Sequence, residues 1–360
     1  MRYERYKEVD LPWLQEVPEH WELVRNKHVL IPQKRIVGDN FSDYVLLSLT
    51  LRGIIERDIE SGKGKFPESF EKYKVVNRDD LIFCLFDIDE TPRTVGISKN
   101  EGMITGAYDV YKSLNSNPNF LAYYWIKVDN EKALKPYYKS LRKTITSDSF
   151  LSIRMPLPPL HEQEQIANFL DWKINEINKL IEQEKKKIAL FENLNNTIIR
   201  NKISEVSVFR NVPLKRVCSV IAGKEISVEV DSENSEAVRV FGSGDKVFKY
   251  TNNHLLDGEF IIFGRKGTIG KPYIVEGKLW IVDTAYAMKN NHLTDFKYLY
   301  YLMKIFPWED FATNTVKPSI VANQILMQKI ILPEIDVQIE VARNIDNLIE
   351  KNKELVEVIQ

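Results

Sequence analysis

The sequence predicts a mixed α+β protein built as two similar α/β blocks separated by a two-helix coil, and three observations carry that prediction. The first is the stretch 157–203, where steps of four and three select Leu170, Ile174, Ile177, Ile181, Glu184, Ile188, Phe191, Asn195 and Ile198. Seven of these nine positions are apolar, the pattern of a two-helix seam. The rest of the surface is Lys, Glu, Asn and Gln, which suits a rod in water rather than a buried helix. About 40 residues rising 1.5 Å each give a rod of roughly 60 Å.

The second observation is a repeat. LPPLHEQEQIANFLD (157–171) returns without a gap as LPEIDVQIEVARNID (332–346), 175 positions later. Five of the fifteen pairs are identical: Leu157/Leu332, Pro158/Pro333, Gln163/Gln338, Ala167/Ala342 and Asp171/Asp346. Leu160/Ile335, Ile166/Val341 and Leu170/Ile345 stay apolar, and the second seam continues through Ile349 and Val356. The third observation is that the block interiors also match in order. TGAY (105–108) lies against DTAY (283–286), LAYYWIK (121–127) against YLYYLMK (298–304), and VPLKR (212–216) echoes WELVR (21–25). The expected plan is a first block at 1–155, a helix at 156–205, a second block at 206–332 and a short second helix at 333–360.

Taken in order, LPWLQEVPEHWEL (11–23) reads as an aromatic strap across the first block, and residues 44–55 read as strand. Residues 57–73 form a polar, Lys-rich loop that suits either DNA contact or plain solvation. Strands are expected at 80–86 and 95–98, and Gly106 suggests a close backbone approach. Helices are expected at 119–128 and 131–141.

Composition is that of an ordinary soluble chain: 360 residues, 44% hydrophobic and 28% charged. The longest wholly apolar run is short (81–86) and the first ten residues lack a signal-peptide core, so neither membrane insertion nor secretion is supported. Cys84 and Cys218 are isolated, one per block, as suits a reducing cytoplasm. Net charge is −1, unevenly spread. Basic side chains outnumber acidic ones 24 to 23 in 1–155 and 16 to 13 in 206–333, whereas acid prevails 8 to 7 in 156–205 and 7 to 3 in 334–360. Any DNA surface is therefore a local patch on the blocks.

No catalytic constellation emerges. The histidines at 20, 28, 161, 254 and 292 have no paired ligand spacing. GRKGTIGK (264–271) fails as a nucleotide loop, because five residues separate Gly264 from Gly270 and Pro272 stands where Ser or Thr would bind magnesium. It remains either a turn whose successive N–H groups, with Arg265 and Lys266, cradle a DNA phosphate, or a tight ligand-free hairpin. The candidate DNA contacts are Arg52, Arg57, Lys63, Lys65, Lys72 and Lys74 in the first block. In the second they are Ser243, Lys246, Lys249, Arg265, Lys266 and Lys271.

The repeated LPPLHEQEQIANFLD motif, the WLQEVPEHWEL leader and FIIFGRKGTIGK (260–271) resemble the DNA-specificity subunit of type I restriction-modification enzymes, over essentially the whole chain. That resemblance implies two target-recognition domains, each reading half of a split site in double-stranded DNA, held apart by an antiparallel pair of helices. It implies a non-catalytic subunit of a cytoplasmic, prokaryotic host-defence complex, with no membrane. Partner subunits would bring the chemistry: two modification subunits with S-adenosylmethionine, and restriction subunits with ATP and Mg. A rigid spacer would set the half-sites about one helical turn apart, roughly 34–36 Å. A truncated or shuffled specificity chain that must self-associate, and a coiled-coil protein scaffold without a DNA role, are the alternatives.

The helix seam is expected to dock the modification subunits. Counted by the 175-residue offset, the second helix stops opposite Lys185. The expectation is therefore that Leu170, Ile174, Ile177 and Ile181 pair with Ile345, Ile349 and Val356, while Ile188, Phe191 and Ile198 are left for a modification subunit.

Overall fold

The computed structural model describes residues 3–57, 69–139, 143–233 and 236–358, the last four through their backbone alone. The chain divides into two compact units, Met1–Ile181 and Glu182–Gln360.

In the first unit a four-stranded antiparallel sheet has the order β2-β5-β3-β4, where β2 is Leu30–Gln33, β3 Leu81–Phe83, β4 Val95–Ile97 and β5 Asp109–Ser113. Alternation along β3 sorts its side chains. Leu81 and Phe83 enter the main core with Tyr111, Trp125 and Phe150, while Ile82 faces a smaller cluster with Val76, Ile104 and Val110. Helix α1 (Pro118–Asn130) covers the main face. Its start is set by Pro118 in the first turn and by Asn117, whose side chain accepts the Phe120 N–H. A short antiparallel pair, β1 (Glu22–Arg25) with β6 (Arg154–Leu157), brings the chain to the start of the long helix α2 (Leu160–Ser204).

The second unit repeats this plan. A six-stranded sheet has the order β8-β13-β11-β12-β9-β10, comprising β8 (Cys218–Ala222), β9 (Val238–Phe241), β10 (Lys249–Thr251), β11 (Leu256–Gly264), β12 (Gly270–Ile281) and β13 (Ala285–Asn290). Its first four members reproduce the order of the first unit's sheet, and only β9 and β12 run parallel. Ile261 and Phe263 of β11 face the main core, as Leu81 and Phe83 do, while Phe260 and Ile262 face the other side. Helix α3 (Phe296–Lys304) covers the main face, capped by Asp295, and the pair β7 (Arg210–Pro213) with β14 (Lys329–Leu332) leads into α4 (Ile335–Val358).

The two N-caps, Asn117 and Asp295, put Leu121 opposite Leu299 and Tyr123 opposite Tyr301, one residue from the expected LAYYWIK/YLYYLMK match. The leader echo shifts too, since β7 is Arg210–Pro213, so Arg210 rather than Pro213 takes the place of Glu22. Residues 44–55 are a hairpin rather than one strand, with Leu47–Thr50 paired to Gly53–Glu56 across a turn that needs the positive φ of Gly53. The helix expected at 131–141 does not form among the described residues. Lys132 turns to a left-handed φ and Pro136 allows a single 3-10 turn at Lys135–Tyr137. Gly106 behaves as expected, since a Cβ there would lie 2.4 Å from the Lys72 carbonyl oxygen. The aromatic strap packs on the first unit, with Trp13 Nε1 donating to Tyr124 Oη at 2.8 Å.

The seam is covered differently from the expectation. Ile345 is fully buried in the second unit's core with Ile199 and Ile203 from the last turns of α2, and Ile349 packs on the same core. Phe191 and Ile198 are half-buried, whereas Ile174, Ile177, Ile181 and Ile188 are exposed and Leu170 is half-buried. The assignment of Ile345 and Ile349 to the first half of the seam is thus corrected: α4 starts beside the end of α2, so the helices are counted from opposite ends. The Val356 side chain lies outside the described residues.

Candidate nucleic-acid interface

In the second unit the sheet gathers three of the candidate residues. Gly264 and Gly270 pair across the β11–β12 hairpin, and a Cβ on Gly264 would sit 1.7 Å from the Thr268 carbonyl oxygen and 3.2 Å from Ser243 Cβ. The hairpin end therefore abuts the β9–β10 loop, placing Ser243 beside Arg265 and Lys266. The Arg265 guanidinium lies 5.1 Å from the centre of the Tyr286 ring, a cation–π contact. Lys266 Nζ lies 2.8 Å from Asp283 Oδ2. Lys246 and Lys271 are exposed, and Lys249 is paired with Glu229 at 2.6 Å.

The cradle of backbone donors is not formed. The N–H groups of Arg265 and Lys266 both donate to Thr284 O, at 2.8 and 3.3 Å, and Gly267 N–H donates to Pro318 O at 3.0 Å. A bridge between Lys266 and Ser319 completes the stitching. The hairpin tip is held by its own fold, so it offers side-chain charge to an anion and not a nest of amides.

In the first unit the candidates scatter. Arg52 is exposed at the Leu47–Thr50/Gly53–Glu56 turn, where its N–H donates to Thr50 Oγ1 at 3.1 Å. Arg57 follows the same hairpin, its N–H donating to Leu46 O at 2.8 Å. Lys72 is exposed. Lys74 is turned inward, donating to Tyr108 O at 2.5 Å and to Asp109 Oδ1 at 3.3 Å, so its ammonium is engaged within the sheet. Lys63 and Lys65 lie outside the described residues.

Two residues that sequence reasoning missed line an open groove of about 630 Å³ beside the 242–249 loop. Arg239 donates to Glu276 O at 2.6 Å, and Tyr273 Oη donates to Gly242 O at 3.1 Å. Arg239 belongs to β9 and Tyr273 to β12, strands distant in sequence that lie side by side in the sheet, a juxtaposition no local motif announces. Among the described residues no group of three or more His, Cys, Asp or Glu side chains is placed to hold a metal ion, and no helix is long and apolar enough to cross a membrane.

Comparison with known proteins agrees with the duplicated architecture. The model of the type I restriction modification DNA specificity domain matches twice, at residues 88–190 and 207–360. The MjaX type I restriction enzyme specificity subunit of Methanocaldococcus jannaschii is 26% identical over 95% of this chain and 91% of its own length. A chain from a solved structure concerned with complex assembly and conformational transition of the type I R-M system superposes with a TM-score of 0.59 at 16% identity, covering 95% of this chain and 93% of the other. The HsdS subunit of Thermoanaerobacter tengcongensis gives 0.44 at 16% identity, covering 96% and 92%. With its family model matched over more than half of its length, in two separate stretches, the chain belongs to the type I restriction-modification DNA specificity family.

Proposed function

We propose that this chain reads a split site in double-stranded DNA, each unit addressing one half, while partner subunits perform the chemistry. The observation that carries this reading is the duplicated strand order, β2-β5-β3-β4 against β8-β13-β11-β12, with exposed basic side chains on the loops of each copy. The chain is the non-catalytic specificity component of its family's complex. S-adenosylmethionine then belongs to modification subunits, two of them, and ATP with Mg to restriction subunits.

The DNA contacts proposed are Ser243, Lys246, Arg265, Lys266 and Lys271 in the second unit, with Arg52, Arg57 and Lys72 in the first. Lys63 and Lys65 remain proposals from sequence. The docking surface proposed for a modification subunit is the exposed apolar stretch of α2, including Phe169, Trp172, Ile177, Leu180 and Ile188. Side chains of this kind are worth roughly 1.5–3 kcal/mol each when buried, so a partner gains by covering them.

Replacing residues 206–330 with the second block of a relative, in cells that also carry the modification partner, tests the reading by methylome sequencing. One half of the methylated motif should change and the other should stay. A change in both halves, or in neither, overturns it.

A further inference from the structure

Three of the five identical pairs of the internal repeat, Gln163/Gln338, Ala167/Ala342 and Asp171/Asp346, are better explained by where the helices meet their domains than by the coiled-coil seam. Gln163 is buried, and its Oε1 accepts the backbone N–H of Asn117 at 2.9 Å, the residue that caps α1. Its Nε2 donates to Pro158 O at 2.8 Å. Gln338 is equally buried, and its Oε1 accepts the N–H of Asp295, the cap of α3, also at 2.9 Å. Its Nε2 donates to Pro333 O at 2.9 Å. Eight residues after each glutamine stands the repeated aspartate. Asp171 accepts the Tyr123 hydroxyl, and Asp346 accepts the Tyr301 hydroxyl. Each tyrosine lies six residues after its N-cap. Midway between glutamine and aspartate sit Ala167 and Ala342, both buried, whose small side chains let the domain pack close.

Positions i, i+4 and i+8 share one helix face, and eight residues span about 12 Å. A single contact would leave the domain free to pivot on its helix. Two contacts that far apart, with a methyl-sized spacer between them, remove the pivot. The backbone carbonyls of Pro158 and Pro333 hold each glutamine amide. The second copy carries extra contacts: Thr294 Oγ1 also donates to Gln338 Oε1 at 2.9 Å, Gln338 Nε2 also donates to Leu293 O at 3.2 Å, and Lys297 pairs with Asp346 at 2.6 Å.

We infer that Gln163, Asp171 and Tyr123, and in the second unit Gln338, Asp346 and Tyr301, are positioning residues that fix the angle at which each recognition domain leaves its helix, and so set which spacer length between half-sites is accepted. The spacer part rests on the split-site reading above. The latch sets orientation, and the bases read within each half depend on other residues.

The test uses the full chain, free and assembled with its modification subunit. Tyr123→Phe, Gln163→Leu and their double variant are compared with Asp171→Asn, which keeps an acceptor oxygen. In the free chain, spin labels at Glu101→Cys and Lys179→Cys, both exposed and both in the first unit, report the domain-to-helix distance. The double variant should broaden that distance distribution, and Asp171→Asn should stay near wild type. In the complex, methylation is read on duplexes whose half-sites are separated by the native spacer or by one base pair more or less. Preference for the native spacer should fall roughly tenfold in the double variant, the scale of one charge-assisted hydrogen bond, with base preference in each half unchanged.

An unchanged distance distribution overturns the latch. Broadened distances with an unchanged spacer profile overturn its role in register. If wild type itself shows no spacer dependence, the split-site reading fails, and the spin-label comparison still decides whether the latch exists. Should the double variant not fold, Tyr301→Phe with Gln338→Leu repeats the methylation comparison on the second copy, where loss of spacer preference supports the inference and retention overturns it.

Discussion

His20 Nε2 lies 2.6 Å from Glu162 Oε1, joining the N-terminal strap to the first turn of α2. Trp21 Nε1 donates to the other carboxylate oxygen at 2.9 Å, and Tyr3 Oη donates to that same oxygen at 3.0 Å. Burial pushes the Glu162 carboxyl up, but donation from His20, Trp21 and Tyr3 outweighs it and holds the group below the usual carboxylate range. A carboxyl depressed on folding stabilises above its unfolded pKa, and that contribution is lost as pH falls through the folded value. The strap should therefore loosen on acidification below the ordinary carboxylate range. Fluorescence of Trp21, isolated by difference against Trp21→Phe, should report this, and Glu162→Gln should show a loosened strap already at neutral pH. Identical titrations for Glu162→Gln and wild type would mean that the cluster is no clasp.

Arg265 and Lys266 are adjacent but unequal. Lys266 is already partnered by Asp283 at 2.8 Å, whereas Arg265 rests on the Tyr286 ring. Arg265→Ala should weaken binding to all duplexes and flatten the salt dependence by about one counterion. Lys266→Ala should do less, and Asp283→Asn should tighten binding by freeing the lysine. Affinity measured across a salt series in the assembled complex checks all three.

Ile199 is fully enclosed in the second unit's core, and Ile177 is 52% exposed. Ile199→Ala should cost about 2–5 kcal/mol in denaturant unfolding, and Ile177→Ala about 0.5 or less. Ile177→Asp should then keep its melting temperature yet lose co-purification with the modification subunit. If Ile177→Asp melts early, that face is covered within the chain.

Both thiols are buried. Burial pushes Cys218 up to about 12, and burial likewise raises Cys84. Neither should react with a maleimide at pH 8 in the native state, and both should react in denaturant. Rapid native labelling of Cys84 would reveal local opening around the C-terminal end of β3.

Much of this architecture is legible in the sequence, because it is written in local periodicity. The heptad-like steps from Leu170 announce a long helix, and the 157–171/332–346 repeat announces the duplication that the sheet orders bear out. What failed was geometry that depends on distant partners. The offset between repeats aligns the helices by sequence position, yet Ile345 meets Ile199 and Ile203 because the helices approach from opposite ends. Of the two readings of the GRKGTIGK turn the hairpin holds and the cradle of amides does not, because Thr284 and Pro318, which lie outside the motif, take its N–H groups. Lys74 reads as a loop lysine, and only the strand register places it against Asp109. The groove at Arg239 and Tyr273 left no signal at all. In contrast, Gln163 and Asp171 were visible as identities, although nothing in the coil pattern explained them.

The middle of α2 has a further consequence. Residues 181–190 are all exposed, and the helix there is supported by the pairs Glu182–Lys185 and Glu184–Lys187. Such pairs contribute only about 0.2–0.5 kcal/mol each and weaken in salt. Backbone amides there should exchange with solvent before those around Ala167 or Ile199, and a protease in trace amounts should find this stretch first. A nick at that point interrupts the helix without removing a single buried side chain from either core, so both cores should outlast the break in the chain between them.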